Sequence, residues 1–192
     1  MTAKRSKILI IHGSTRVGRK GLVVSKWLFG LAQTRPNLDA ELVDLLSWPL
    51  PFFNEPQSPS ELKGNYSSSL AKSWAEKIGR ADGFVFVTPE YNHGYSAVLK
   101  NALDYAYAEW NFKPAVLVGY SSGQMAGARA VDQLRNVLSA LKLWTLPGDL
   151  LVPRIGKIFD AQGKMTDEKL SARAEKTLIE LEHMAAVMKD RR

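Results

Sequence analysis

Short apolar runs alternate with amphipathic stretches along this chain. The runs at residues 7–11, 84–87 and 114–120 are rich in β-branched and aromatic residues, as buried strands are. A shorter and more polar run at residues 40–45 predicts a strand nearer to the edge of a sheet. Residues 149–152 give a weaker signal for a fifth strand.

Between these runs, apolar residues recur at steps of three and four, which predicts helices. The predicted helices cover residues 21–33, 67–80 and 96–110, a stretch marked by Val131, Leu134, Leu138 and Leu141, and a last stretch from Leu170 to Met188. Residues 47–65 contain four prolines and predict a long irregular segment. Loops of this length in compact domains are usually functional or mobile.

Five alternations of strand and helix predict an α/β fold with a parallel sheet and helices on both faces. Strand order 2-1-3-4-5 places a switch point between strands one and three, where ligands bind in such sheets. The two loops that are richest in chemistry follow those two strands. We find no internal repeat and no linker, so we expect residues 1–192 to form one domain.

Composition narrows the functional classes. The chain has 192 residues, 45% of them apolar, and no cysteine, which excludes disulfides, thiolate metal sites and cysteine nucleophiles. Its three histidines lack metal-ligand spacing, so we expect no metal site. No apolar stretch approaches the roughly 18 residues of a membrane span, and no signal peptide is recognised. We therefore expect a cytoplasmic protein with no membrane partner.

The chain is basic, with a net charge of +7. Its lysines and arginines are spread over the start of the chain, one loop and the end, with no basic stripe interleaved with aromatics. We therefore expect no nucleic-acid partner. The charge instead favours a solvated surface with one local anion site.

That anion site is predicted in loop one, residues 12–21, which joins the first strand to the first helix. Hydroxyls of Ser14 and Thr15, backbone N–H groups and the helix N-terminus would converge on an anion. Arg16 and Arg19 would add charge-assisted hydrogen bonds to a phosphate. The loop matches neither the Walker A motif nor the dinucleotide fingerprint, so a single phosphate fits better than a pyrophosphate. Alternatively, these residues only cap the helix and Arg16 is solvated.

Loop three follows the central strand and contains Pro89, Glu90, Tyr91, Asn92, His93 and Gly94. The proline fixes the turn, and the glycine permits close backbone approach or a positive φ. The main chain and side chains of residues 91–93 can serve the polar edge and the flat face of a flavin ring. Alternatively, the loop is a helix-entry turn in which Ser96 is the N-cap and Tyr91 packs.

Loop four, residues 120–128, follows the next strand and is small and polar, with Ser121 and Gly123. Small residues would let a ring edge approach the backbone, although such loops are common. Together the three loops predict a three-sided pocket for a flat aromatic cofactor that carries a phosphate. FMN is the cofactor that this combination favours.

These residues resemble the NADPH-dependent FMN reductase family, which includes flavodoxin-like quinone and azo reductases. The resemblance rests on residues 13–16, 89–94 followed by 99–104, and 121–123, and extends to 50–56 and 159–163. It implies a flavodoxin-like fold with bound FMN. It also implies hydride transfer from NADPH or NADH, with a quinone, azo compound, free flavin or metal complex as the small-molecule electron acceptor.

The resemblance also implies site residues. Ser14, Arg16 and Arg19 would hold the phosphate, and residues 89–92 would line the isoalloxazine, with Ser121 and Gly123 near the ring or ribityl chain. At residues 17–19 this chain has Val-Gly-Arg, whereas many relatives place a Ser or Asn there. Family members are usually dimers or tetramers, so a homodimer or homotetramer is expected. No protein acid, base or nucleophile is needed, because the flavin carries the chemistry.

Two other functions are compatible with this scaffold. A flavodoxin-type electron carrier would bind FMN without reacting with nicotinamide, but such carriers tend to be acidic and this chain is basic. A non-catalytic binding module is the second alternative, since fold does not fix function. A group of aromatic residues predicts either a subunit interface or ordinary core: Trp48, Phe52, Phe53, Tyr105, Tyr107 and Trp110.

Overall fold

The computed structural model describes residues 5–190 as strands and helices that alternate along the chain. The strands are β1 (Ser6–His12), β2 (Leu38–Asp44), β3 (Gly83–Pro89), β4 (Pro114–Tyr120), β5 (Trp144–Thr145) and β6 (Leu150–Val152). The α-helices are α1 (Leu22–Gln33), α2 (Pro59–Leu62), α3 (Ser69–Gly79), α4 (Ala97–Asp104), α5 (Ala128–Ala140) and α6 (Glu168–Lys189).

All strand pairs in this sheet are parallel, and the order β2-β1-β3-β4-β5 confirms the predicted 2-1-3-4-5 arrangement. The fifth position is divided between two short strands. β5 pairs with the start of β4, and β6 pairs with its end. Pro147 and Gly148 lie between them, and Gly148 has a φ of +88°. A proline cannot donate to the ladder, which explains the weak sequence signal in this region.

Helices cover both faces of the sheet, as predicted. Successive residues of β3 point to opposite faces, so Phe84 and Phe86 join one buried cluster while Val85 and Val87 join the other. The first cluster includes residues of α3, α4 and α5, and the second includes residues of α1 and α6. No helix within residues 5–190 is both long and apolar enough to cross a membrane.

Helix α4 ends at Asp104 rather than at residue 110, which corrects the predicted length. The aromatic residues beyond it turn into the core instead of continuing the helix. The Trp110 indole N–H donates to the Leu103 carbonyl at 3.1 Å, and the Tyr105 hydroxyl donates to the Pro51 carbonyl at 2.9 Å. Tyr105 and Trp110 are therefore core residues, whereas Phe52 is 81% exposed.

The proline-rich segment between β2 and α3 is more ordered than its sequence predicts. Its first half is fixed by Asn101, whose Oδ1 accepts from the Phe53 N–H at 3.0 Å and whose Nδ2 donates to the Pro51 carbonyl at 2.8 Å. Its second half contains α2, where Ser58 and Glu61 form a capping box. This motif, with a proline at the first helical turn, is a helix start signal.

Candidate cofactor site

The carboxyl ends of β1, β3 and β4 bring the three predicted loops together around a cavity of about 390 Å³. That size is within the range of small-molecule sites. Loop one contributes cations, loop three a polar and aromatic wall, and loop four small residues. The lining residues are Arg16, Arg19, Lys20, Pro89, Glu90, Tyr91, Tyr120, Ser121, Ser122 and Ile155.

Loop one is anchored to the central strand and to α4. The Gly13 N–H donates to the Val87 carbonyl at 2.8 Å, and a Cβ on Gly13 would lie 3.1 Å from the same oxygen. The Ser96 hydroxyl donates to the Gly13 carbonyl and also accepts from the Leu99 N–H at 3.4 Å. Ser96 is thus the N-cap of α4, as one interpretation of the sequence held, and it also positions loop one.

The first and third loops meet through two hydroxyl groups. Ser14 is fully buried, and its Oγ lies 2.9 Å from the hydroxyl of Tyr91. Tyr91 is 40% exposed and lines the cavity, so its side chain is not part of the buried core. The tyrosine instead forms an exposed aromatic wall of the cavity.

The cations of loop one differ in how far their charge is compensated. The Arg19 guanidinium pairs with Asp44 at the end of β2, while its buried Nε has no hydrogen-bond partner. Arg16 and Lys20 are exposed, and within residues 5–190 neither has a carboxylate within 4 Å. The uncompensated positive charge at this end of the cavity therefore comes mainly from Arg16 and Lys20.

Tyr120 also forms part of the cavity wall, although it was not predicted as a site residue from the sequence. Its ring lies against the start of α1, where a Cβ on Gly21 would lie only 1.9 Å from the Tyr120 Cζ. Its hydroxyl is buried and makes no hydrogen bond of ordinary length to any of residues 5–190, although the Ser14 hydroxyl is close enough to affect its titration. Burial raises the pKa of the phenol well above its usual range, so the hydroxyl remains a neutral donor. Its position as the last residue of β4 was the available signal, because strand carboxyl ends line such sites.

A buried histidine lies behind Tyr120. The rings of His12 and Tyr120 are nearly parallel, with centroids 6.3 Å apart. The His12 Nδ1 lies 3.0 Å from the Ser25 hydroxyl, and its Nε2 has no partner. Burial lowers the pKa of His12 from 6.5 to about 4. Arg19 acts in the same direction and Asp44 opposes it, so the imidazole is neutral at neutral pH.

The tip of loop three is a tight two-residue turn. Tyr91 and Gly94 exchange two backbone hydrogen bonds of 2.8 and 3.0 Å. Asn92 and His93 have φ values of +49° and +69°, the signs that a type I′ turn requires. Of the two roles allowed for Gly94, a positive φ is found instead at the two residues before it. Close approach fits the glycine, because a Cβ there would lie 3.3 Å from the Gln133 Oε1. The Gln133 side chain donates to the His93 carbonyl at 3.1 Å and holds the turn against α5.

Glu90 and its neighbours divide between the cavity wall and the turn. Pro89, Glu90 and Tyr91 line the cavity, whereas residues 92–94 form the turn beside it. The Glu90 side chain is 7% exposed and pairs with Arg129 of α5, with 2.7 Å between Oε1 and the arginine Nε. The negative charge of Glu90 is therefore compensated by an arginine that does not line the cavity.

Loop four is bonded to the chain that follows β6, residues 153–158. The Ile155 N–H donates to the Ser121 carbonyl at 3.0 Å, and the Arg154 N–H donates to the Gly123 carbonyl at 3.1 Å. Ser121 and Ile155 line the cavity, whereas Gly123 is not one of the lining residues. The contribution of residues 153–158 was not predicted, because it depends on long-range pairing of β6 with β4.

The donors at the cationic end fit a bound phosphate. The Arg19 Nε and the Tyr120 hydroxyl are buried donors that make no hydrogen bond of ordinary length to the described residues, and such groups are costly unless a ligand completes them. An anion beside Arg16 and Lys20 would accept from them, while Tyr91 and the small loop-four residues suit a flat ring. The fold and cavity therefore define an α/β mononucleotide-binding protein of the flavodoxin-like type.

Comparison with known proteins identifies the family. Residues 6–156 match the family model of the NADPH-dependent FMN reductases, and the chain belongs to that family. It is 44% identical over 141 residues to an NAD(P)H-dependent FMN reductase of Schizosaccharomyces pombe, covering 73% of this chain and 70% of the relative. An NADPH:quinone oxidoreductase of Arabidopsis thaliana is 33% identical over 153 residues, covering 77% and 74%.

A comparison with solved structures agrees with the flavodoxin-like fold. The flavoenzyme FerB of Paracoccus denitrificans, an NAD(P)H:(acceptor) oxidoreductase, superposes with a TM-score of 0.76 at 24% sequence identity. The match covers 94% of this chain and 97% of that one. Together with the sheet order, it confirms the flavodoxin-like α/β architecture.

Proposed function

We propose that this protein is an FMN-dependent oxidoreductase that takes electrons from NAD(P)H and passes them to a small-molecule acceptor, with quinones as the first class to test. Family membership and two relatives named for these reactions support the proposal. The observation that carries it is the cavity at the β1–β3 switch point, with cations at one end and an aromatic wall at the other.

Each loop has a separate part in holding the cofactor. Ser14, Thr15, Arg16 and Arg19, with Lys20 and the Tyr120 hydroxyl, bind the phosphate. Residues 89–94 support the isoalloxazine through main chain and the Tyr91 ring, and Ser121 and Gly123 face the ring or ribityl chain. The backbone ties from loop one to Val87 and from loop four to Ile155 keep these groups preorganised, which reduces the cost of binding.

FMN, when bound, supplies the redox chemistry by accepting a hydride from NAD(P)H and returning two electrons to the acceptor. The chain contributes binding, orientation and electrostatics. The buried His12 is neutral and lies behind Tyr120 rather than in the cavity wall, so no general acid or base is assigned.

An absorption spectrum tests the proposal most directly. The purified protein is supplemented with FMN, desalted, and then treated anaerobically with NADPH or NADH. Retained absorbance near ~450 nm that bleaches with either nucleotide is expected for a flavin enzyme. Bound flavin that stays oxidised with both would favour an electron carrier, and failure to retain flavin would favour a non-catalytic binding module.

The phosphate assignment has its own test in Arg16→Ala. Removing an uncompensated, charge-assisted donor should weaken FMN affinity about tenfold or more and leave the unfolding midpoint unchanged, because Arg16 is exposed. Affinity is measured by quenching of FMN fluorescence. Arg80→Ala, an exposed arginine at the end of α3, is the matched control. Equal affinity in the two variants would contradict the assignment.

Three further properties are proposed with the function. The protein is a homodimer or homotetramer, and the exposed ring of Phe52 within the proline-rich segment supports an apolar contact there; light scattering of the purified protein tests this. Residues 1–192 act as one domain, which limited proteolysis examines. The protein works in the cytoplasm, where reduced nicotinamides are available, and cell fractionation checks that location.

A further inference from the structure

A second cavity, of about 550 Å³, lies beside the first. The two cavities share a wall made by loop four and residues 153–158. Ser121, Ser122 and Ile155 face the first cavity. The second is lined by Gln124, Pro153, Arg154, Lys157, Ile158, Thr166 and Asp167. A molecule bound at the mouth of the first cavity would therefore need to cross only this shared wall to enter the second cavity.

Arg154 is held at this wall by a strained turn. Its φ is +47°, which is uncommon for a residue with a side chain. The turn is fixed by the bond from the Arg154 N–H to the Gly123 carbonyl and by one of 2.7 Å from the Lys157 N–H to the Arg154 carbonyl. Such strain persists only where the surroundings enforce it, and it clusters at binding sites. The turn places both cations on one cavity.

The charge of this cavity is positive. Within residues 5–190, neither Arg154 nor Lys157 has a carboxylate within 4 Å, and both are exposed. Lys20, which is assigned above to the FMN phosphate, lies near the wall between the two cavities, since its Nζ lies 3.2 Å from the place that a Cβ on Gly156 would take. Asp167 also lines the cavity, but its Oδ1 accepts from the Leu170 N–H at 3.0 Å as the N-cap of α6.

We infer that the second cavity binds the adenosine half of NADPH and that Arg154 and Lys157 recognise its 2′-phosphate. This inference rests on the proposed function. A nicotinamide that reduces a flavin must lie at the mouth of the first cavity, so the rest of the dinucleotide extends outwards from there. The loop-one cations serve the FMN phosphate, which leaves the second cavity as the adjacent anion site.

The lining suits this occupant beyond its charge. Pro153 and Ile158 are half-buried and offer apolar surface to the adenine or ribose. Gln124 carries an exposed amide that can donate and accept hydrogen bonds. A cation pair discriminates strongly between a 2′-phosphate and a 2′-hydroxyl, because charge-assisted bonds to phosphate are about twice as strong as neutral ones.

The test measures binding of two fragments to the FMN-loaded protein. Adenosine 2′,5′-bisphosphate carries the 2′-phosphate, and 5′-AMP lacks it. Calorimetry should show that the wild type prefers the bisphosphate. Arg154→Gln and Lys157→Gln keep a polar, unbranched side chain that can still form hydrogen bonds, and each removes one charge. Each should reduce this preference about tenfold. Lys72→Gln, an exposed lysine of α3, is the control and should keep it.

Kinetics give a second readout. The KM for NADPH should rise about tenfold in Arg154→Gln relative to Lys72→Gln, with FMN retention equal in both. A wild type that bleaches with NADPH yet shows no preference for the bisphosphate overturns the inference alone. So does an equal loss of affinity for both fragments in the variants, because that result places the 5′-phosphate, which both fragments share, at these cations. Absence of bleaching by either nucleotide instead overturns the proposed function.

Discussion

Buried polar groups at the two ends of the sheet differ in whether they have hydrogen-bond partners. At the amino ends of the strands, Lys113 is 4% exposed and donates from Nζ to the Ile78 and Gly79 carbonyls at 2.8 and 3.0 Å. Asp82 accepts from the Lys7 N–H and from the Lys189 ammonium. At the carboxyl ends, three buried atoms make no hydrogen bond of ordinary length within residues 5–190: His12 Nε2, Arg19 Nε and the Tyr120 hydroxyl.

The difference separates stability from function. A buried polar group without a partner costs about 1–3 kcal/mol, so a cluster of them persists where a ligand completes the hydrogen bonds. One such atom alone is a weaker sign, since the hydroxyl of Tyr66 is also unpartnered and lies away from the cavity in the helical core. The clustering of Arg19 and Tyr120 on one cavity is what points to a bound anion.

The largest predicted effect is on the pH dependence of stability, and it arises at the carboxyl end. His12 has a pKa of about 4 in the folded chain and about 6.5 when unfolded. Above pH 6.5 both states are neutral. Between pH 6.5 and 4 only the unfolded chain takes up the proton, so the free energy of unfolding should fall by up to about 3 kcal/mol. Urea titrations at several pH values measure this fall.

The variant His12→Gln isolates the contribution of the histidine. It should lose less stability than the wild type between pH 6.5 and pH 4, whatever its stability at neutral pH. An equal loss of unfolding free energy in both proteins would mean that groups other than His12 cause the acid sensitivity.

The next effect tests the amino end. Lys113→Met keeps the unbranched apolar stem of the side chain but removes both hydrogen bonds to the end of α3. It also removes the ammonium 5.7 Å from the Phe84 ring centroid. The free energy of unfolding should fall by about 2 kcal/mol, measured by urea denaturation. FMN affinity should stay the same, because the residue lies at the opposite edge of the sheet. A large loss of affinity would show that the two ends are coupled.

The smallest effect on stability should come from Tyr120→Phe. Deleting a hydroxyl that makes no hydrogen bond of ordinary length within residues 5–190 should leave the unfolding free energy of the FMN-free protein within about 0.5 kcal/mol of the wild type. FMN affinity should nevertheless fall several-fold, because the phosphate loses a donor. The two measurements are made on the same preparation. A clear loss of stability with unchanged affinity would mean that the hydroxyl belongs to the core and not to the cavity.

Much of the fold could be predicted because the sheet interior leaves a strong local signal. The apolar run at residues 114–120 gave the bounds of β4, since every residue of that strand is buried. The division of the fifth strand was missed because β5 and β6 are two and three residues long and depend on pairing with β4. The helix α2 was missed although Ser58, Pro59 and Glu61 form its start signal.

The candidate site was predicted less completely. Residues next to one another in loops one and three were selected from the sequence because a short motif places them together. Tyr120 and Ile155 were not, since they meet loop one only after β4 and β6 pair. The partner of Arg19 was also out of reach, because Asp44 comes from the neighbouring strand β2. Local patterns thus give the loops, and the sheet register decides which side chains share the cavity.

Because Asn101 holds only the first part of the proline-rich segment, the two parts of the segment should tolerate insertions differently. One amide side chain fixes residues 50–53 against α4 through three hydrogen bonds, so that part of the segment has a set path. Beyond Phe53, residues 54–61 are exposed or half-buried, and each doubling of a flexible loop costs only about 0.6 kcal/mol. Insertions between Phe53 and α2 should therefore cost little stability, so this part of the segment can vary in length while residues 50–53 keep their path.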